Sequence, residues 1–240
     1  MNSFDQRNQY NVARQQELAA SNATFMSRVY FWMMLGLLIS GLVAYEVAGS
    51  QALIMRLVSN KFLWFGLIIL QFGAVIALSG FVERMSVFLT SFVYVGYAVL
   101  SGVTFSVIFF AFTAESISQA FFITSFSFIG LSAFGYITKR DLSPIGSFCM
   151  TGLFGIIGLM LVGFIFPSIM TDAVQWAVNV CGIIIFAGLT AYDTQKIKNY
   201  NVAPISSDIS KKQAIHGALT LYLDFINLFL MILRLTGDRR

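Results

Sequence analysis

An all-α integral membrane protein, folded as a seven-helix transmembrane bundle, is the architecture this sequence predicts. Of its 240 residues 58% are apolar and 11% charged, with a mean hydropathy of +0.79. An ordinary soluble domain carries about 25% charged residues. Seven apolar stretches reach the roughly 20 residues needed to cross hydrocarbon: 29–48, 62–82, 86–112, 117–138, 145–166, 174–195 and 214–235. The prolines Pro144, Pro167 and Pro204 all fall between these stretches, where a missing N–H costs a helix nothing. A β-barrel would alternate polar and apolar residues over about 10 positions, and "GLLISGLVAY" and "IGLMLVGFIF" do not.

The elements follow in order. Residues 1–28 form a polar tail, 29–235 the transmembrane domain and 236–240 a short C-terminal tail. The N-terminal tail lacks the charged start, short apolar core and small-residue site of a secretory signal, so the first span serves as its own insertion signal. Its "NAT" at Asn22 is a weak glycosylation match, inert if cytoplasmic. Small residues recur in the third span ("GYAVLSG") and the fifth ("GLFGIIG"), and in lipid they signal close helix packing. Cys149 and Cys181 lie within spans and read as buried, small apolar residues. His216, the single histidine, opens the seventh span and reads as an interfacial residue.

Lys and Arg set the orientation. One side carries Arg7, Arg14, Arg28, Arg84, Lys139, Arg140, Lys196, Lys198, Lys211 and Lys212, ten in all. The other carries Arg56, Lys61, Arg234, Arg239 and Arg240, five in all. Basic residues concentrate in cytoplasmic loops, so the N-terminus is expected inside and the C-terminus outside. A re-entrant seventh segment would instead return "RLTGDRR" to the inside. For the same reason the pI of about 9.1 signals membrane topology and not nucleic-acid binding.

Several functions lose their footing here. No cluster of metal ligands, glycine-rich phosphate loop or nucleophile–base set is visible, so an enzyme is the least favoured class and no cofactor is expected. No span holds the lysine that a retinal Schiff base needs. The polar exceptions inside the spans carry the information. A charge within a span costs about 2.5–3.5 kcal/mol on insertion scales and marks a functional hypothesis by default. Glu46, Glu83, Glu115, Asp141 and Asp172 sit near ends or in loops. Asp224 lies ten residues into its span, about 15 Å deep. Asp193 lies near the cytoplasmic end of the sixth. Two readings stand for each: Asp193 is a helix-end acid or part of a site, and Asp224 is a core acid satisfied by Tyr222 or Thr220 or part of that site. In the second reading Arg84, Asp193, Asp224 and the amides of Gln195 and Asn227 form one polar cluster near the cytoplasmic mouth. Counted along the helices Asp224 lies deeper than Asp193, so contact requires tilt or a later entry of the seventh span.

"AYDTQKIK" (191–198) followed by "LYLDFINLFLMILR" (221–234) resembles the Bax inhibitor family of membrane proteins, its bacterial branch most closely. "KRDLS" at 139–143 and "YVGYAVLSGVT" at 94–104 extend the resemblance over nearly all seven spans. It implies a bundle with helix 7 central and a pH-sensitive calcium leak. It also implies that Asp193 and Asp224 share a proton as sensor, with Arg84 as a latch on Asp193. Elementary chemistry agrees: two carboxylates in a poorly solvated site do not easily both ionise. A fully ionised pair supplies the oxygen donors that Ca²⁺ takes, incompletely and hence transiently. The expected partners are calcium ions, protons, the lipid bilayer and a membrane-protein partner, with a bacterial inner membrane as location. Two other classes stay open: an ion- or proton-coupled transporter using the same acids, and a non-transporting regulator that binds another membrane protein.

Overall fold

The computed structural model describes residues 3–200 and 206–239, with side chains for Glu17 and from Ala20 onward. Pro204, Arg240 and the side chains of Arg7 and Arg14 lie outside the described residues. The elements are α1 (Ser3–Ala48), α2 (Gln51–Ser59), α3 (Lys61–Gly80), α4 (Val87–Ala111), α5 (Ala114–Ile137), α6 (Ser143–Ile165), α7 (Asp172–Lys198) and α8 (Asp208–Thr236). Short 3-10 turns occupy Val82–Arg84 and Pro167–Ile169. All but α2 contain a stretch long and apolar enough to cross a membrane, which gives the seven spans expected.

The helices begin where the sequence offers caps. Asn60, Ser86, Thr113, Thr171 and Ser207 each accept a hydrogen bond from a backbone N–H in the first turn that follows, which satisfies donors a helix start leaves orphaned. Pro144 falls inside the first turn of α6 rather than before it, a position where proline costs nothing. The prolonged α1 and the nine-residue α2 depart from expectation. The polar tail continues the first span as helix because it is rich in Ala, Gln and Arg and has no Gly or Pro, so nothing in it breaks the helix. In the loop expected at 49–61, α2 turns Ile54 and Leu57 inward; it is too short to register as a span.

α8, the seventh span, packs against α1, α4, α5 and α7, while α7 also packs against α5 and α6. The apolar window of α8 is 61% buried, against 39% for α7 and 6% for α3. α8 supplies both halves of the core. Tyr222 and Phe225 join Phe25, Val29 and Tyr94; Leu228 and Met231 join Cys149, Val178 and Leu189. Phe88, Phe126, Phe148 and Phe164 point outward, as lipid-facing side chains do in a protein whose surrounding solvent is hydrocarbon. Cys181 joins that exposed surface, contrary to expectation, and only Cys149 is buried.

Glycines set how close the helices come. A Cβ at Gly135 of α5 would lie 2.1 Å from the Ala191 carbonyl oxygen, and one at Gly146 of α6 2.5 Å from the Tyr192 ring. A Cβ at Gly217 of α8 would lie 2.9 Å from the Ile197 side chain, and one at Gly182 of α7 3.0 Å from that of Met231. Among the glycines singled out in the sequence, Gly102 and Gly152 are such contact points, but Gly96, Gly155 and Gly158 face open space. "GLFGIIG" does not break its helix.

Two predictions follow from this packing. Reporter fusions at Ser3 and Gly237 should land on opposite sides of the membrane, with Ser3 cytoplasmic by the charge count; both on one side would remove the seven-span arrangement. Gly135→Ala should destabilise the bundle by about 1–3 kcal/mol because the clash is with backbone, whereas Gly155→Ala, which meets no atom, should not lower the thermal midpoint.

Candidate functional site

α7 and α8 run antiparallel, and the small residues on their seam fix the register. Ile197 of α7 meets Gly217 of α8, and Met231 of α8 meets Gly182 of α7. Between those points the seam places Asp193 and Asp224 on facing sides of the two helices, close enough to interact. The mismatch in depth is resolved at the start of α8. That helix begins at Asp208, ahead of the expected 214, and Ile197, one residue from the end of α7, meets Gly217, so the first turns of α8 extend past the end of α7. The first turns of α8 run beside the 82–85 turn, where Lys212 Nζ donates to the carbonyls of Glu83 (2.8 Å) and Met85 (3.1 Å).

Asp224 is 5% exposed, and Asp193 is half-buried. Asp224 Oδ2 has no hydrogen-bond donor among the described residues. Two ionised carboxylates are both acceptors only. A hydrogen bond between Asp193 and Asp224 therefore exists only when one of them carries a proton. Lys196 stands one turn beyond Asp193 on α7, and its amino group lies 5.7 Å from the centroid of the Tyr192 ring.

The other residues picked from the sequence have different partners. Tyr222 sits two positions from Asp224, about 200° around the helix, and so points away from the pair. Its hydroxyl bonds Ser40 Oγ at 2.7 Å, and Ser40 also reaches the Ala98 carbonyl at 2.8 Å, which ties α8 to α1 and α4. Thr220 bonds the His216 carbonyl of its own helix. Neither hydroxyl satisfies Asp224. Asn227 Nδ2 donates to the Leu223 carbonyl at 2.8 Å, also within its own helix. Gln195 faces the α5–α6 loop: its Oε1 accepts from Leu142 N–H at 2.9 Å and its Nε2 donates to the Arg140 carbonyl at 2.8 Å. Residues 193 and 195 are again two apart, so a side chain that serves the loop does not serve the pair. Arg84 ends the 3-10 turn and is exposed. The ion pair present among the described residues is Lys211–Asp208, so Arg84 and Asp193 are not bridged in this conformation. His216 is half-buried, with Nδ1 3.1 Å from the Leu78 carbonyl and its ring stacked on Tyr200.

One group escaped the sequence reading. Tyr30 OH bonds Ser132 Oγ, which in turn lies 3.0 Å from Thr194 Oγ1. This hydroxyl chain links α1, α5 and α7 beside Asp193. Its members are single Ser, Thr and Tyr residues scattered through apolar helices, and nothing in the linear pattern pairs them. Lys198 reinforces the same end of α7, donating to the Tyr136 carbonyl at 2.9 Å and lying over the Tyr136 ring.

The structure thus defines a multi-pass, seven-helix integral membrane protein with a carboxyl pair in its least exposed seam. The chain belongs to the Bax inhibitor family: the family model described as "Inhibitor of apoptosis-promoting Bax1" matches residues 22–240. It is 46% identical over 219 residues to the inner membrane protein YbhL of Escherichia coli (strain K12), covering 90% of this chain and 92% of that protein. An uncharacterized protein of Borreliella burgdorferi is 38% identical over 226 residues, 94% of this chain and 96% of its own. An uncharacterized protein of Deinococcus radiodurans is 37% identical over 225 residues, 94% and 95% respectively.

Gln195→Ala should detach the 138–142 loop from α7 and speed amide exchange at Leu142, without altering the helical content. Unchanged exchange at Leu142 would show that the loop is held by other contacts.

Proposed function

We propose that this protein is a pH-sensitive calcium leak channel of a bacterial inner membrane, with its N-terminus in the cytoplasm and the Asp193–Asp224 pair as its sensor. The observation that carries the reading is the buried Asp224 carboxyl, which has an oxygen without a donor and faces a second carboxyl. In a seam of low polarity such a pair holds one proton between its members and carries a single negative charge. Raising the pH removes that proton. The charge becomes −2, the two carboxylates repel, and the α7–α8 contact at their level is weakened. The doubly ionised pair offers oxygen donors to Ca²⁺. No third His, Cys, Asp or Glu side chain joins it among the described residues, so the remaining donors are carbonyls and water. Weak coordination of this kind suits an ion that must leave again. Arg84 enters the reading as the cation that engages Asp193 once the pair has separated; the exposed 3-10 turn that carries it is tethered to α8 by Lys212.

The sign of the pH effect follows. Ca²⁺ affinity at the pair rises with pH, because each lost proton adds a negative charge. The test is Ca²⁺ flux into liposomes holding the purified protein, measured across pH. Asp193→Asn and Asp224→Asn should each abolish most of the pH dependence, and the double variant should add little, since groups in one network are not additive. Independent, additive shifts would sink the sensor pair. Arg84→Ala should move the midpoint of the flux–pH curve in a folded protein; a wild-type curve would reduce Arg84 to a surface residue. Proton efflux stoichiometrically coupled to Ca²⁺ entry would favour a transporter, and absence of flux a regulator.

A further inference from the structure

α5 packs on α7 and α8 but not along α1 or α4. It is tied to them at its two ends. At one end Tyr30 of α1 bonds Ser132 of α5. At the other, Phe112 and Thr113 link α4 directly to α5. That turn is fastened to the end of α8, where Thr113 N–H donates to the Asp238 carbonyl at 3.3 Å and Asp238 N–H to Ser116 Oγ at 3.0 Å. Between these ties the helices leave a window with a cavity of about 410 Å³. Gly41, Ser118 and Phe122 stand on its rim, and Phe225, Ile226 and Phe229 of α8 are among its lining residues.

We infer that this window is a binding site for one acyl chain of a membrane lipid. The helices that frame it are spans, so the surrounding medium is hydrocarbon. Water has nothing to hold it there, because a stable buried water needs two to four polar partners. Ser40 Oγ in the lining is already engaged with Gly36, Ala98 and Tyr222, and Ser118 Oγ donates to the Ala114 carbonyl. No charged residue lines the cavity, so an ion or headgroup gains nothing by entering. A transmembrane helix, roughly 10 Å across, is too wide for a space of this size. A flexible apolar chain fits both the chemistry and the shape. The site is not inert scaffolding. Ser40 in its lining holds the Tyr222 hydroxyl, and Phe225 follows Asp224 directly, so an occupied window braces α8 on the side opposite α7. The inference stands on this geometry and does not depend on the channel reading.

The test uses the full-length protein in vesicles of phosphatidylethanolamine and phosphatidylglycerol, doped with a phospholipid carrying a photoactivatable group midway along one acyl chain. After illumination, labelled positions are mapped by mass spectrometry. Ile226 and Phe229 are half-buried and line the window, so the window-filling variants below separate label that enters through it from label at the outer belt. The wild type should be labelled at Ile226 and Phe229 as well as at belt residues such as Phe126. Gly41→Phe should abolish the α8 label, since a Cβ at Gly41 meets no atom within 4 Å and the added ring has room to occupy the window. Ser118→Phe closes it from the opposite rim and decides the matter if the first variant fails to fold. Gly66→Phe, on α3 and also in open space, should leave the α8 label intact. Belt labelling with no label on α8 in the wild type overturns the site. So does an α8 label that survives in both window-filling variants.

Discussion

Two carboxyl groups pressed together in an apolar seam form a hydrogen bond only while one of them is protonated. The packing of α7 on α8 puts Asp193 and Asp224 on facing sides of such a seam. Glycines on α7 and α8 bring the two helices close, and the contacts of Ile197 with Gly217 and of Met231 with Gly182 fix their register. A slip of one residue would rotate Asp224 by about 100°, out of the seam and toward another helix. The glycines of α5 and α6 that abut Ala191 and Tyr192 press α7 from behind, at the level of Asp193. In lipid, where the surrounding solvent is as apolar as the side chains, such close approach is the main source of helix association.

The polar groups around the pair hold its supports, and Lys196 stands one turn beyond Asp193 on α7. Gln195 and Lys198 hold the α5–α6 loop and the end of α5 to α7. Tyr222 and Ser40 hold α8 to α1 and α4. The hydroxyl chain from Tyr30 through Ser132 to Thr194 ties three helices together without adding a charge. Apart from that of Lys198, whose ammonium donates to a carbonyl, these ties join neutral groups.

Much of this was legible in the sequence because hydropathy over about 20 residues is a strong signal. An acid such as Asp224 in the middle of an apolar run is just as conspicuous. The seven spans are legible on those grounds, and the family from the motifs at 191–198 and 221–234. What was not legible depends on rotation about a helix axis. Gln195 and Tyr222 lie two residues from the acids they were grouped with, which places them on other faces. Cys181 and Cys149 both lie in spans, yet one faces outward and the other inward. Gly155 and Gly135 look alike in the sequence, and only one abuts a neighbour. The length of α1 also escaped hydropathy, because its first turns are helical while remaining polar.

The central claim is that Asp193 and Asp224 hold one proton in common. Infrared difference spectroscopy across a pH jump tests it most directly, since a protonated carboxyl group has a C=O stretch distinct from that of a carboxylate. The account predicts one protonated-carboxyl band that disappears as the pH rises. Asp193→Asn and Asp224→Asn, examined separately, should each remove or shift that same band. Two bands, each assigned to one aspartate and each untouched by substitution of the other, would contradict it.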